Sequence, residues 1–308
     1  MNLTKNKTIY VIFAIISIYI AFILYSDINK ISEHFLQINY LFLLIVLPIE
    51  VFSFFIRSIR QKILLDEIGI KIPLITNFKI YVAGLSMTVT PGGFGSIIKS
   101  HFLKKFFNYS NSKTFPLVFV ERFHDFLAVT TIIIISLFFS YLWQSFVLAM
   151  MSSVLLILVY LLARKNFLLI KFLSKIKKIK LIAKFVPTLE FVESLVLLTK
   201  WKTMFKSWLL SITSWSIEII SFYYVFQIFE IDMNFLEIGQ VVYTSILVGV
   251  LSFLPGGIGF TEGSLIALLI ERGYELSIVT SVVLMLRLVT IWFATIFGFI
   301  LTHKFLKN

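Results

Sequence analysis

The sequence predicts an all-α membrane protein. It reads as a polytopic helix bundle of six full spans plus two re-entrant hairpins of broken helix, eight hydrophobic segments in an inverted-topology repeat. Three observations carry this. First, 59% of the 308 residues are hydrophobic and 14% are charged, against about 45–50% and about 25% in a soluble domain. Second, one breaker pattern, Pro-Gly-Gly-x-Gly, interrupts two apolar stretches, as VTPGGFG from Val89 to Gly95 and FLPGGIG from Phe253 to Gly259. Third, Lys and Arg collect on one side of the expected layer.

A spanning helix needs about 20 mostly apolar residues. The first candidate, 8–26, follows Lys5 and Lys7. It is longer and bulkier than a signal-peptide core and no small-residue cleavage site follows, so it is expected to stay as an uncleaved span. The second candidate is 39–58. The stretch 78–104 is cut by Pro91, Gly92 and Gly93. Pro removes a backbone donor and clashes with the preceding turn, and Gly lowers helix propensity. The pieces Tyr81–Thr90 and Phe94–Phe102 are too short to cross alone. Non-helical backbone at membrane depth is tolerated only inside protein or against a water-filled cavity, so this stretch is expected to enter and leave on one side. Spans 114–141 and 145–163 follow. Segment 164–206 holds eleven basic and two acidic residues, with apolar residues interleaved at helical spacing. It is expected to be a cytoplasmic loop that lies as an interfacial helix and gathers anionic lipid. Span 207–229, the second broken stretch 238–271 and span 276–302 complete the chain. One integral membrane domain is expected over 1–308, with pseudo-repeat halves at about 39–141 and 207–302.

Orientation follows from charge. With the N-terminus inside, 23 of the 28 Lys and Arg fall in the expected cytoplasmic segments, five of them in 57–79. The expected outer segments hold only Lys30 and Arg272 against seven acids. This predicts a multi-pass protein of the cytoplasmic membrane with both termini inside, and a snorkelling Lys99 is consistent with that inner side. Located this way, the net charge of +12 does not point to nucleic acid. There is no cysteine and the four histidines are scattered, so neither disulfides nor a metal site is expected. The stretch GGFGSIIKS lacks the spacing of a phosphate-binding loop, and no cofactor is expected.

The two motifs bring similar neighbours. Arg122 lies 31 residues after Pro91, and Arg287 lies 32 after Pro255. Glu50 lies 41 residues before the first, and Glu218 lies 37 before the second. Each half therefore reads as a span with a buried acid, a broken hairpin, and a span with a buried arginine. The two hairpins enter from opposite sides, as in transporters whose substrate sites lie near the midplane at broken helices.

With Pro91–Gly95, then Glu121, Arg122 and Asp125, then Pro255–Gly259 with Glu262, and later Arg287, the chain resembles the transmembrane region of lysylphosphatidylglycerol synthases, the flippase-like family. The resemblance spans nearly the whole chain. Ser96 and Lys99 stand where that pattern has an acid and an arginine, which sets the first hairpin apart. No aminoacyl-transferase segment accompanies the region, so the resemblance implies lipid translocation rather than lipid synthesis.

Eight ionisable residues fall at expected membrane depth: Glu50, Lys99, Glu121, Arg122, Asp125, Glu218, Glu262 and Arg287. A charge there costs about 2.5–3.5 kcal/mol on insertion scales, so each must face the bundle interior, pair, or meet water. Glu121 and Asp125 share a helix face, which leaves Arg122 free to project elsewhere. Glu50, Glu121, Asp125 and Glu218 are read as buried ion-pair or coupling groups. The glycines Gly92, Gly93 and Gly95, and Gly256, Gly257 and Gly259, are expected to expose helix-start amides. Those amides, with Arg122, Arg287, Lys99 and Glu262, suit an anionic phospholipid or polyprenyl-phosphate headgroup. As an N-terminal acid Glu262 would also favour its helix dipole, or it could carry a proton. The leading reading is a flippase-like transporter and not an enzyme, with no catalytic residue assigned. The alternatives are a membrane-embedded enzyme acting on lipid headgroups, drawing on His101, His124, Glu121 and Asp125, or a scaffold subunit using the basic loop. A homo-oligomer is compatible with all three.

Overall fold

The computed structural model describes residues 27–90, 94–140, 142–164 and 189–307. The expected first span, the residues Pro91, Gly92 and Gly93, and 165–188 of the basic segment lie outside the described residues. Among the described residues every regular element is a helix. In order they are α1 (Ile28–Gln37), α2 (Leu43–Glu67), α3 (Leu74–Leu85), α4 (Ile98–Phe107), α5 (Asn111–Ser136) and α6 (Trp143–Arg164). Then come α7 (Leu189–Leu198), α8 (Trp201–Ile228), α9 (Phe235–Leu251), α10 (Phe260–Glu271), α11 (Leu276–Arg287) and α12 (Phe293–Lys307). A π turn, Leu288–Trp292, joins α11 to α12 without a break in the rod.

Four helical stretches are long and apolar enough to cross a membrane: Tyr40–Glu67, Trp143–Leu162, Trp201–Ile228 and Leu276–His303. They answer to the expected spans 39–58, 145–163, 207–229 and 276–302. Helix α5 has 26 residues, about 39 Å at 1.5 Å per residue, and Glu121, Arg122 and Asp125 lower its apolarity. Together these make a polytopic helical membrane protein. The outward face of α6 fits that solvent, since Met150, Met151, Val154, Ile157 and Leu158 are each more than half exposed. Lipid tails are as apolar as these side chains, so such exposure carries no hydrophobic penalty.

The broken stretches behave differently. Helices α3 and α4 have 12 and 10 residues, about 18 and 15 Å, well short of a hydrocarbon core of about 30 Å. Helix α9 has 17 residues and α10 has 12, and they fold back on each other. Gly249 lets them close, because a Cβ there would sit 1.9 Å from Thr261 Oγ1 and 3.3 Å from the Gly257 backbone.

Packing follows the repeat. Helices α2 and α8, one from each half, share the most extensive contact. The first hairpin helix α3 packs on α12, and its counterpart α9 packs on α5. Likewise α3 meets α4 and α5 meets α4, as α9 meets α10 and α11 meets α10. This exchange of partners is what a two-fold relation between halves produces.

One expectation is corrected here. Helix α2 runs on to Glu67, so Arg57 and Arg60 belong to its buried face and not to a cytoplasmic segment. That leaves 21 of the 28 basic residues in the expected cytoplasmic segments. The described end of the basic segment is helical. Helix α7 packs on α5, and Lys200 pairs with Glu67 at 2.9 Å.

The α3–α12 contact yields a direct prediction. A Cβ on Gly298 would lie 2.3 Å from the Ser86 amide nitrogen and 2.7 Å from the Val82 carbonyl oxygen. Both obstacles are backbone and cannot rotate away. Overpacking of this kind costs about 1–3 kcal/mol or more. Gly298→Val is expected to lower the thermal unfolding midpoint in detergent, with Gly298→Ala lowering it less. An unchanged midpoint for both would show that the helices separate freely.

Candidate functional site

Both halves contribute to one cavity of about 290 Å³. Thr88 and Thr90, just before the first break, line it, as do Gly256 and Gly257 in the second. Its charged lining is Glu50 and Arg57 from α2, Arg122 and Asp125 from α5, Glu218 from α8, Glu262 from α10 and Arg287 from α11. Most of the rest is apolar, including Phe54, Phe222, Val283 and Leu286. The second motif and the residues just before the first break thus border one place.

In the second hairpin, Gly256, Gly257 and Gly259 hold φ of 61°, 65° and 89°, values that L side chains rarely adopt. The turn uses up several of its own donors. The Gly257 amide donates to Leu254 O and the Ile258 amide to Pro255 O. The Gly259 amide donates to Glu262 Oε2 at 2.8 Å. The helix-start amides expected to await an anion are therefore partly occupied, one of them by the chain's own carboxylate. Glu262 Oε1 in turn accepts from Arg287 Nε at 2.6 Å, and Arg287 Nη2 donates to Gly256 O at 2.9 Å. Arg287 is a clamp on the hairpin first, although it also borders the cavity.

The first half repeats the clamp with the signs reversed. Lys99, in the first turn of α4, pairs with Glu121 of α5, and both are buried. The lysine stem fills the space that Gly84 leaves open, where a Cβ would come within 2.5 Å of Lys99 Cγ. The expected snorkelling of Lys99 is thereby overturned. Dry surroundings and a carboxylate hold the ammonium inside, and neither Lys99 nor Glu121 lines the cavity. Gly95 lies in the 3₁₀ turn Phe94–Ile97 that precedes α4.

The expected Glu121–Asp125 face is also redistributed. Glu121 turns to Lys99, while Asp125 meets Arg60 Nη1 at 2.6 Å, Arg122 Nη1 at 3.4 Å and Trp215 Nε1 at 3.4 Å. Arg122 is thus not free of Asp125. It is nevertheless the loosest of the buried-segment arginines, with its side chain 37% exposed and its Nε without a hydrogen-bond partner. Adjacent helix residues point about 100° apart, which is how Glu121 reaches α4 while Arg122 faces the cavity.

At the α2–α8 crossing, Arg57 Nη2 pairs with Glu218 Oε1 at 2.6 Å, and its guanidinium lies over the Trp215 ring at 4.2 Å. The Ser53 hydroxyl donates to Glu218 at 3.3 Å. Glu50 is 1% exposed and neither of its oxygens has a hydrogen-bond partner. Arg57 and Arg60 went unseen as site residues in the sequence. The available signal was the continuing apolar spacing of Ile56, Ile59, Ile63, Leu64 and Leu65, which carries the span past residue 58.

The histidines form no such cluster. His124 is buried with its ring nitrogens 2.7 and 3.2 Å from the Val120 and Met204 carbonyls, and His101 is exposed. Among the described residues no three metal-capable side chains come together.

The model of the family described as "Lysylphosphatidylglycerol synthase TM region" matches residues 10–298. A UPF0104 membrane protein of Pyrococcus horikoshii is 26% identical over 307 residues, covering 91% of this chain and 92% of its own. Another, of Methanocaldococcus jannaschii, is 25% identical over 325 residues, covering 97% and 95%. A third, of Methanothermobacter thermautotrophicus, is 33% identical over 90 residues, 29% of this chain and 27% of its own. No solved structure matches the chain.

Proposed function

The chain belongs to the lysylphosphatidylglycerol synthase TM region family, and from that premise we propose that it moves an anionic lipid headgroup between leaflets. The substrate class is a phospholipid or a polyprenyl-phosphate-linked headgroup. The observation that carries the reading is the shared cavity with Arg122 open to it. A guanidinium presents a planar fork to phosphate oxygens, and at membrane depth a phosphate needs such a partner. A volume of about 290 Å³ lies just below the range of ligand pockets, about 300–1,000 Å³. That suits a headgroup and leaves the acyl chains in the bilayer. Glu262–Arg287 and Lys99–Glu121 brace the two hairpins while the halves rock about the α2–α8 contact.

In this reading the protein lies in the cytoplasmic membrane with both termini inside, and the basic segment 164–206 rests on anionic lipid. The test is purified protein in phosphatidylcholine vesicles carrying headgroup-labelled phosphatidylglycerol. Label crossing faster than in empty vesicles, chemically unchanged, is the expected result. A changed headgroup would turn the reading into lipid enzymology, and neither crossing nor change would leave a scaffold.

A further inference from the structure

The cavity contains one carboxylate more than its close pairs neutralise, and one guanidinium held more loosely than the rest. Arg57 is matched to Glu218 and Arg287 to Glu262, both at 2.6 Å. Arg60 and Arg122 share Asp125, at 2.6 and 3.4 Å. Glu50 has no ion pair, and neither of its oxygens makes a hydrogen bond of ordinary geometry, although it is 1% exposed. Its ionisable surroundings come from every side: Arg57 on its own helix, Glu218 from α8 and Tyr243 from α9. Tyr81, Asp125, Arg122, Glu262 and Arg287 border the same cavity. Tyr243 donates its hydroxyl to the Trp215 carbonyl and so offers Glu50 no proton. The Ser221 hydroxyl lies near Glu50, and it too makes no hydrogen bond of ordinary geometry.

An ionised carboxylate in this position would face Glu218 with only the nearby Ser221 hydroxyl as a neutral donor, which burial penalises heavily. A proton removes the charge. Two close carboxylates and one guanidinium are satisfied when a single proton joins them.

We propose that Glu50 is an exchangeable proton site, loaded when an anionic headgroup enters beside Arg122, so that lipid and proton cross together. The coupling rests on the transport reading above. A phosphate brought to Arg122 adds negative charge to the cavity and so strengthens proton binding at Glu50. By linkage, a proton on Glu50 strengthens headgroup binding to the same degree. The step is a simple one. Water on one side gives a proton to a Glu50 oxygen, an O–H bond forms, and water on the other side takes that proton after the halves rock. No bond in the lipid changes.

Two measurements test this on Glu50→Gln, with Glu50→Met as the second variant should the amide fail to fold. The first is infrared spectroscopy of the protein in vesicles. The wild type is expected to show a protonated-carboxyl stretch that shifts in deuterated buffer and disappears in E50Q. The second is movement of headgroup-labelled phosphatidylglycerol under an imposed pH gradient. The wild type is expected to move label severalfold faster away from the acidic side than against the gradient, and the variant to ignore it. A carboxyl band that persists in E50Q, or a variant that still follows the gradient, would overturn the proposal. If the wild type moves no lipid at all, the transport reading and the coupling fall together, and the infrared band alone decides whether Glu50 holds the proton.

Discussion

Glu262→Ala is expected to leave the protein too unstable to purify as a single species, and the double reversal Glu262→Arg with Arg287→Glu to recover much of the loss. Glu262 is 1% exposed and Arg287 11% by side chain. Removing one partner strands the other charge in a dry interior, which costs about 3–5 kcal/mol. A folded domain has about 5–15 kcal/mol in hand. The alanine also frees the Gly259 amide and weakens the turn that Arg287 holds through Gly256 O. Reversal is plausible on this scaffold because the other half already has that polarity: Lys99 sits on the hairpin and Glu121 on the span. Recovery should stop short of wild type, since an arginine at 262 cannot accept from the Gly259 amide, and a lost hydrogen bond is worth about 1 kcal/mol. Thermal unfolding in detergent and the sharpness of the size-exclusion peak are the readouts. A reversal no better than the single change would show that the hairpin needs the cap and not the ion pair.

Much of this was legible in the sequence, and the limits have physical causes. Apolar run length located the long helices, because a bilayer demands that length whatever the packing. Pro91 and Pro255 located the breaks, because few backbones survive Pro-Gly-Gly as helix. The matched offsets of Arg122 and Arg287 located the cavity while mispairing the residues around it. In three dimensions the counterpart of Arg287 is Glu121, one position earlier, because sign is free to invert wherever both partners invert together. Lys99 looked like an interfacial lysine because its partner lies 22 residues away on another helix, and Gly84 makes its room from a third. Arg57 and Arg60 were hidden for the opposite reason. Their charges resembled a topology signal, and only the packing of α2 against α8 and α5 reveals that they neutralise Glu218 and Asp125 across the bundle.

Arg122→Ala is expected to cut headgroup movement by about 10- to 150-fold while leaving the unfolding midpoint nearly unchanged. The range follows from a charged hydrogen bond, worth about 1.5–3 kcal/mol, at 1.4 kcal/mol per factor of ten. The small stability cost follows from geometry. Asp125 keeps Arg60 at 2.6 Å when Arg122 leaves, so no acid is stranded. The side chain is 37% exposed, its contact with Asp125 is the longest of the buried-segment pairs at 3.4 Å, and its Nε has no partner to lose. Arg60→Ala makes the informative contrast. That side chain is 1% exposed and carries the Asp125 and Ser211 contacts, so its removal should destabilise the fold before any transport can be measured. Arg122→Lys separates charge from shape: a point charge keeps the attraction to phosphate but loses the two-pronged geometry, so its rate should fall between wild type and alanine. A stable Arg122→Ala protein that moves lipid at the wild-type rate would remove this guanidinium from the substrate path and leave the cavity without its phosphate partner.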